Sequence, residues 1–417
     1  MSKRSLFHWS TTEPSLQFLE QREHFVPFRV DVLMERILAD DRLSAESRLQ
    51  FQELRKLLAA RFHFEYYEVL ESLKRDFVPF DPDRDTVERP ESVNTDLDEK
   101  LLRLYKGVKF LLERCNFVEM SSEQLDACLE LQPIGGLSVF VDKRDFSKFD
   151  VFFRGIHKKD VPKRWLFFFQ RTRKTTVFSR VFIIARMNEE NSGRFFAKMF
   201  KDVSVENLKI IVPKVRLGMP IFDRLKIGGT VFGSLATTIY KAFFALIFSW
   251  WLFAIVMSSL VIATFKGILS FLSSRTKYLH VFSSSLYFLS VSNNEAALTS
   301  LVDAAEEQDL KEALLAYYML FVLRNRNLTK EQLDKSVESW LIGQLGWNTD
   351  FEVDDAVRKL EEKGLSISQG GIFKVYDLPS ALRRLDKSWD EFFTYNNPGT
   401  AIDDRLADGD WPPFPDA

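Results

Sequence analysis

Apolar residues return every three or four positions through most of the first third of the chain. "VDVLMERIL" sets Leu33, Ile37 and Leu38 along one face, and "RLQFQELRKLLAARFHFEYYEVLESLKRDF" continues the period, so residues 15–75 read as helices. "VPFDPDRDTVERPES" breaks it with prolines and charges and reads as a loop. That loop opens like a calcium site at Asp81, Asp83 and Asp85. It then places Thr86 where the turn needs glycine and Ser92 where a bidentate glutamate belongs, so no calcium site is expected. In "DLDEKLLRLYKGVKFLLERCNF", Leu97, Leu101, Leu104, Val108 and Leu111 form one stripe. Ser121 and Gln124 stand at capping-box spacing and start another helix, which Pro133, Gly135 and Gly136 end.

From Leu137 the period shortens. "LSVFV", "FDVFFRG", "RWLFFFQ", "TTVFSRVFIIARM" and "RFFAKMF" are aromatic and β-branched runs between charged and glycine clusters, which predicts a small antiparallel sheet over residues 137–200. "SVENLKIIVP" follows as a short helix. Beyond residue 295 the helical period resumes with an acidic bias. Thr329 and Gln332 form a second capping-box pair, and "VDDAVRKLEEKGL" places Val353, Val357 and Leu360 on one face with Gly364 at its end. "SISQGGIFKVY" reads as a hairpin, so residues 309–376 follow the element order of a winged-helix module.

Between Lys241 and Lys266 lie 24 residues without a charge, more than the roughly 20 that cross a bilayer. Upstream, Lys241 is the only charge from Ile227 to Phe265. Gly229 and Gly233 make a GxxxG, and Ala254/Ser258 and Ser259/Ala263 are further small pairs suited to close helix packing in lipid. A membrane hairpin is favoured over a single span. It puts Trp250 and Trp251 at a bend at headgroup level and Lys266 at the interface, with the basic flanks of both ends on one side. Lys241 fits the hairpin least. The expected fold is an α+β membrane protein: mainly helical soluble regions, a small antiparallel β domain, a transmembrane helical segment and a winged-helix-like C-terminal domain. The boundaries are 1–136 for the N-terminal helices, 137–224 for the β-rich domain and 225–274 for the membrane segment. Residues 275–396 make the acidic domain and 397–417 the tail.

Charge sharpens this division. The net charge is +9 over residues 1–277 and −11 over 278–417. A basic excess beside an apolar stretch suits anionic lipid, whereas the acidic part is unsuited to a phosphate backbone. The predicted recognition helix carries Asp354, Asp355, Glu361 and Glu362 against Arg358, Lys359 and Lys363, so nucleic acid is an improbable partner there and a protein the better one. Cys115 and Cys128 lack partners at metal-ligand spacing and read as packed apolar residues. Phosphate-loop, dinucleotide, zincin and nucleophile-elbow motifs are absent, and neither catalytic residues nor cofactors are expected. The most site-like stretch is "FFRGIHKKDVPKR", where Arg154, His157 and Asp160 could supply a base and an anion clamp. Arg154, Lys158, Lys159, Lys163 and Arg164, with Arg171, Arg173 and Lys174 beyond, make a better patch for lipid headgroups. The N-terminus has no apolar core of a secretory signal.

Several stretches together carry a family resemblance: "EHFVPFRVDVL", "FDRLKIGGTVFGSLATTIYK", "DAAEEQDLKEALLAYYML" and "WLIGQLGWNTDFEVDDAVRKLEEKGL". They resemble the domain-of-unknown-function 3754 family, which includes the animal protein called transmembrane protein 143. The resemblance implies a membrane protein with soluble parts before and after the apolar block, and it brings no reaction. The expected location is a bacterial inner membrane with cytoplasmic soluble domains, or alternatively a mitochondrial membrane. The expected role is a membrane-anchored, non-enzymatic scaffold or interaction module, with lipids and a protein partner of the acidic domain. The alternatives are a membrane-bound enzyme or lipid-binding protein using residues 152–174, and a membrane-tethered DNA-binding regulator.

Overall fold

The computed structural model describes residues 24–83, 97–131, 138–166, 169–188, 194–218 and 286–392, with helical positions scattered between 251 and 284. The helical period of the first block folds as α1 (Val30–Leu38), α2 (Ala45–Phe77) and α3 (Leu97–Arg114). Ser44 caps α2 by accepting from the Ser47 amide. Along α2, Phe51, Leu54, Leu58, Phe62, Tyr66 and Val69 are buried at three- and four-residue steps.

After α3 come β1 (Val118–Glu119), α4 (Ser122–Glu130) and β2 (Ser138–Phe140). The long strands β3 (Phe146–Leu166) and β4 (Phe169–Met187) lead to β5 (Phe195–Ser204), α5 (Leu208–Ile211) and β6 (Arg216–Gly218). A last strand of this sheet, β7 (Ser290–Asn293), runs directly into α6 (Glu295–Val322). The main sheet is antiparallel in the order β1-β3-β4-β5-β7, and β2 pairs with β6 apart from it.

The chain then builds α7 (Lys330–Leu345), α8 (Val353–Glu362), the hairpin β8 (Ser366–Gln369) and β9 (Ile372–Val375), and α9 (Leu378–Asp390). Gly370 and Gly371 supply the two positive φ angles of a tight hairpin turn, +58° and +76°. Leu328, between α6 and α7, bridges Phe373 of β9, so a helix, a short bridge, two helices and a wing follow in order.

α6 is the axis of the molecule. Residues 308–320 are buried without interruption, as befits "ALLAYYML" with apolar side chains on every face. α2 packs on α6, α9 packs on α2, and α3 and α8 flank α6. One hydrophobic cluster takes in these helices together with Phe152, Phe182, Ile184, Phe195 and Met199 from one face of the sheet. The other face, with Phe153, Phe178, Val181 and Ile183, is covered by α4 and α5. Residues from the beginning and end of the described chain thus share a core.

Strand alternation breaks along one line across this sheet. Phe152 faces the helices and Phe153 faces α4, but Ile156 packs on the α4 side, where strict alternation would not put it. The pairing passes from Arg154↔Arg180 to Ile156↔Phe178, and from Arg180↔Lys201 to Phe178↔Val203. Gly155, Ser179 and Asp202 are the residues passed over. Gly155 (φ +74°) and Asp202 (φ +51°) are left-handed, and a Cβ on Gly155 would meet Ser179 Cβ at 2.5 Å. The two faces of the sheet exchange there.

Among the described residues, no helix is long and apolar enough to cross a membrane. That overturns the membrane-protein fold and the integral location at an inner or mitochondrial membrane. α2 is long but carries Lys, Arg and Glu throughout its 33 residues. The uncharged run of α6 lies only between Glu312 and Arg324, and it is packed in protein. Most of the segment at 225–274 lies outside the described residues. The mixed helix and antiparallel sheet are as expected.

Candidate functional site

A helix buried on every face must satisfy its polar residues internally. α6 buries four in succession apart from one leucine: Gln308, Asp309, Lys311 and Glu312. Lys359 of α8, 1 % exposed, reaches into the same place. Its Nζ lies 2.5 Å from Asp309 Oδ1, 2.6 Å from Glu312 Oε2 and 2.5 Å from Asp355 Oδ2. Arg114 of α3 stands 3.4 Å from both Asp309 and Asp355. Tyr66 of α2 donates to Asp309 Oδ2 at 2.7 Å, and Gln308 Nε2 donates to Glu312 Oε1 at 2.6 Å. Asn116 Nδ2 adds a longer bond of 3.3 Å to the same oxygen.

Burial opposes charge on Lys359, yet the three carboxylates hold its pKa above the ordinary lysine value. Burial likewise opposes charge on Asp355, but Lys359 and Arg114 beside it bring its pKa down to about 2. Burial pushes Glu312 up, with Lys359 working against that shift. Arg114 and Arg358 serve Asp309 and Asp355 but neither is paired with Glu312, so Glu312 is the group best placed to take up a proton. Asp309, Glu312 and Asp355 offer oxygens within 4.8 Å of one another, a spacing that could hold a metal. The Lys359 ammonium lies within contact of all three and does that work. The arrangement is a lock between α2 and α3 on one side and α6 and α8 on the other. Lys359, Asp309 and Glu312 are buried, and Asp355 and Arg114 are partly exposed.

Lys311 belongs to a second interior group. Its Nζ donates to Val26 O at 2.9 Å and lies 4.8 Å from the Phe25 ring, which also carries the Arg154 guanidinium at 4.1 Å. Burial lowers the Lys311 pKa from 10.5 to about 8. Between these values the unfolded chain binds more protons than the folded one, so stability rises with pH across that window. The rise amounts to about 3 kcal/mol. Urea unfolding of Lys311→Met against the unaltered protein, below and above the window, should show the rise flattened in the variant. An equal rise in both would reject this account.

The residues singled out from sequence fall in different places. Arg154 is half-buried between Phe25 and Phe117 and donates to Cys115 O at 2.9 Å. His157 Nδ1 lies 3.1 Å from Ser179 Oγ. Asp160 pairs in register with Lys174, farther along β3, so the three residues form no single constellation. Lys158 and Lys159 are exposed, and Lys159 meets Asp202 at 3.0 Å. Lys163 and Arg164 are strand residues of β3. Ser258, Trp251 and Lys266 are exposed helical positions. Gly229, Gly233, Trp250 and Ala263 lie outside the described residues. Each cation of the predicted recognition helix has a carboxylate: Arg358 meets Asp355 and Glu362, Lys359 sits in the buried cluster, and Lys363 meets Glu65. Sequence reasoning read Lys359 as a solvated charge and missed the cluster. The available signal was the pairing of Asp309 with Glu312, and of Asp355 with Lys359, at helical spacing beside an all-apolar run.

A cleft of 560 Å³ opens between α4 and the start of β3, lined by Glu119, Ser121, Lys143, Lys148 and Asp150 among others. Its charges are engaged: Lys109 lies 2.6 Å from Glu119, Lys148 lies 3.6 Å from Asp150, and Tyr105 donates to Asp150 at 2.7 Å.

A different surface is unsatisfied. Trp251, Ile262, Phe265 and Leu269 are helical and 78, 66, 62 and 50 % exposed.

No solved structure matches the chain. Residues 178–296, from the Ser179 crossing through the apolar stretch to the start of α6, match the model of the family described as protein of unknown function (DUF3754), and that match supports the family membership.

Proposed function

We propose that the protein is a non-enzymatic interaction protein, and that it holds a protein partner through exposed apolar side chains that include Trp251, Ile262, Phe265 and Leu269. The single observation supporting this is the exposure of Trp251, Ile262, Phe265 and Leu269, large apolar residues at helical positions. Large apolar side chains exposed to this degree mark a contact site. The densest cluster of titratable groups among the described residues, around Lys359, is largely buried and mutually paired, which favours binding over catalysis. The DNA-binding alternative has less support, because the cations of α8 are already engaged. Within the family, the stretches outside 178–296 favour kinship with the members that include transmembrane protein 143.

A photo-crosslinking side chain placed at position 265, compared with one at exposed Leu49 on α2, tests the reading. The expected result is a discrete protein-sized adduct at 265 that Ile262→Glu abolishes, with none at 49. Adducts of equal yield at both positions, or none at 265, would end it.

A further inference from the structure

Strand β3 has a described neighbour on both sides only where β1 or the Met120 amide meets it. β1 pairs at Phe152 and Phe153, and the Met120 amide donates to Val151 O at 2.8 Å. The chain then turns away at Ser121 into α4. Back along β3, Phe146, Lys148, Phe149 and Asp150 pair with β4, and no described strand lies on their other side. The 560 Å³ cleft occupies that place, with Phe146–Asp150 as one wall and Met120, Ser121, Ser122 and Leu125 across from it.

The register fixes which backbone groups the cleft receives. In an antiparallel ladder the N–H and C=O of one residue point to the same side, and successive residues alternate. Val151 O points to the β1 side, since it accepts from Met120. Two residues back, the N–H and C=O of Phe149 point the same way, into the cleft, while those of Asp150 point to β4. Among the described residues, no hydrogen bond reaches the Phe149 backbone from the cleft side. The register shift at Ser147 brings Phe146 and Phe149 to one face, 5.0 Å apart between ring centroids, with Met120 and Leu125. Lys148 and Asp150 stand on the other face, 3.6 Å from each other.

The chemistry that matches is a main chain: a donor and an acceptor from one residue, beside an apolar floor on one face only. The charged groups of the cleft are already engaged, so a small ion gains little there. We propose that the cleft takes an extended peptide segment, added antiparallel to the β3 edge in line with β1, which exchanges both main-chain bonds with Phe149. The peptide residue opposite Phe149 shares its face, so that residue is apolar and packs on Met120, Leu125 and Phe146. The residues beside it point to the other face and are polar. This site stands apart from Trp251, Ile262, Phe265 and Leu269 and does not rest on them.

Random heptapeptides displayed on phage and selected on the full chain supply the probe. The selected peptides should carry one apolar side chain between polar ones. Their synthetic forms should bind the full chain but not Ser122→Trp, whose ring fills the cleft from an exposed first-turn position of α4. That variant should melt like the unaltered protein. N-methylation at the apolar residue removes the amide that donates to Phe149 O and should weaken binding by about tenfold or more. N-methylation at the next residue, whose amide points away from β3, should not. Residue-resolved hydrogen exchange gives a readout that needs no variant. The Phe149 amide should exchange freely in the protein alone and slow by about tenfold or more with peptide. The Asp150 amide, paired with Ile184, should be protected in both. Ile262→Glu/Phe265→Glu should bind the peptide normally, so failure here and failure at the apolar helical positions are distinguishable. A Phe149 amide protected in the protein alone would overturn the proposal. So would selection of no peptide that tells the unaltered chain from Ser122→Trp, or equal loss from N-methylation at both positions.

Discussion

Lys359→Met should cost about 4 kcal/mol of folding stability, read from urea unfolding at neutral pH. The substitution keeps the length of the side chain and removes its charge. Three oxygens now 2.5–2.6 Å from Nζ would then face one another in the interior, with Arg114 at 3.4 Å from Asp309 and Asp355, and Arg358 meeting Asp355, as the remaining cations. Leaving a buried charge uncompensated is far more damaging than removing a pair together. Two further measurements separate this cause from poor packing of methionine. Glu312→Leu added to Lys359→Met should recover part of the loss. The deficit should also narrow as the pH falls and the crowded carboxylates protonate. A loss under about 1 kcal/mol would mean that the cluster is not a lock.

Gly155→Ala should cost about 3 kcal/mol, a large effect for one methyl group. Two causes add. A φ of +74° is strained for any L side chain, and the new Cβ would lie 2.5 Å from both Cβ and Oγ of Ser179. Ser179→Gly in the same chain removes the collision and leaves the strain, so the double variant should regain roughly half of the loss. Thermal melting followed by circular dichroism reads both. If the double variant is no better than the single one, Ser179 is not the obstacle.

Much of the local structure was legible in the sequence. Ser121–Gln124 and Thr329–Gln332 are true reciprocal caps of α4 and α7, because capping chemistry needs only residues three apart. Gly364 (φ +65°) and the Gly370–Gly371 turn were legible for the same reason: left-handed backbone is a demand on one or two residues. The limits were set where the deciding contact is distant. Charged clusters such as "HKKD" looked like turns between short strands, but they lie inside β3, where a ribbon exposed on both faces tolerates them. Lys359 looked like surface charge because its partners Asp309 and Glu312 are almost fifty residues away in sequence. Helical spacing gives the stripe on α8 but not the side from which a neighbouring helix approaches. The apolar segment is a different matter: its length alone suggested a span, and the described helices supply none.

The way α2 is completed bears on how this chain comes to be folded. Arg61 Nη1 donates to Ser388 O at 2.9 Å across 327 residues, and Phe64 packs edge-on against Phe392 at 4.6 Å between ring centroids. At about 5–20 residues per second, a ribosome takes roughly 15–65 s to deliver the second half of that contact after the first. For most of that interval Leu54, Leu58 and Phe62 lack α6, and for nearly all of it they lack α9. The emerging chain must therefore be shielded by something other than itself, which makes synthesis, more than the finished fold, the stage at which it is most exposed to misassembly.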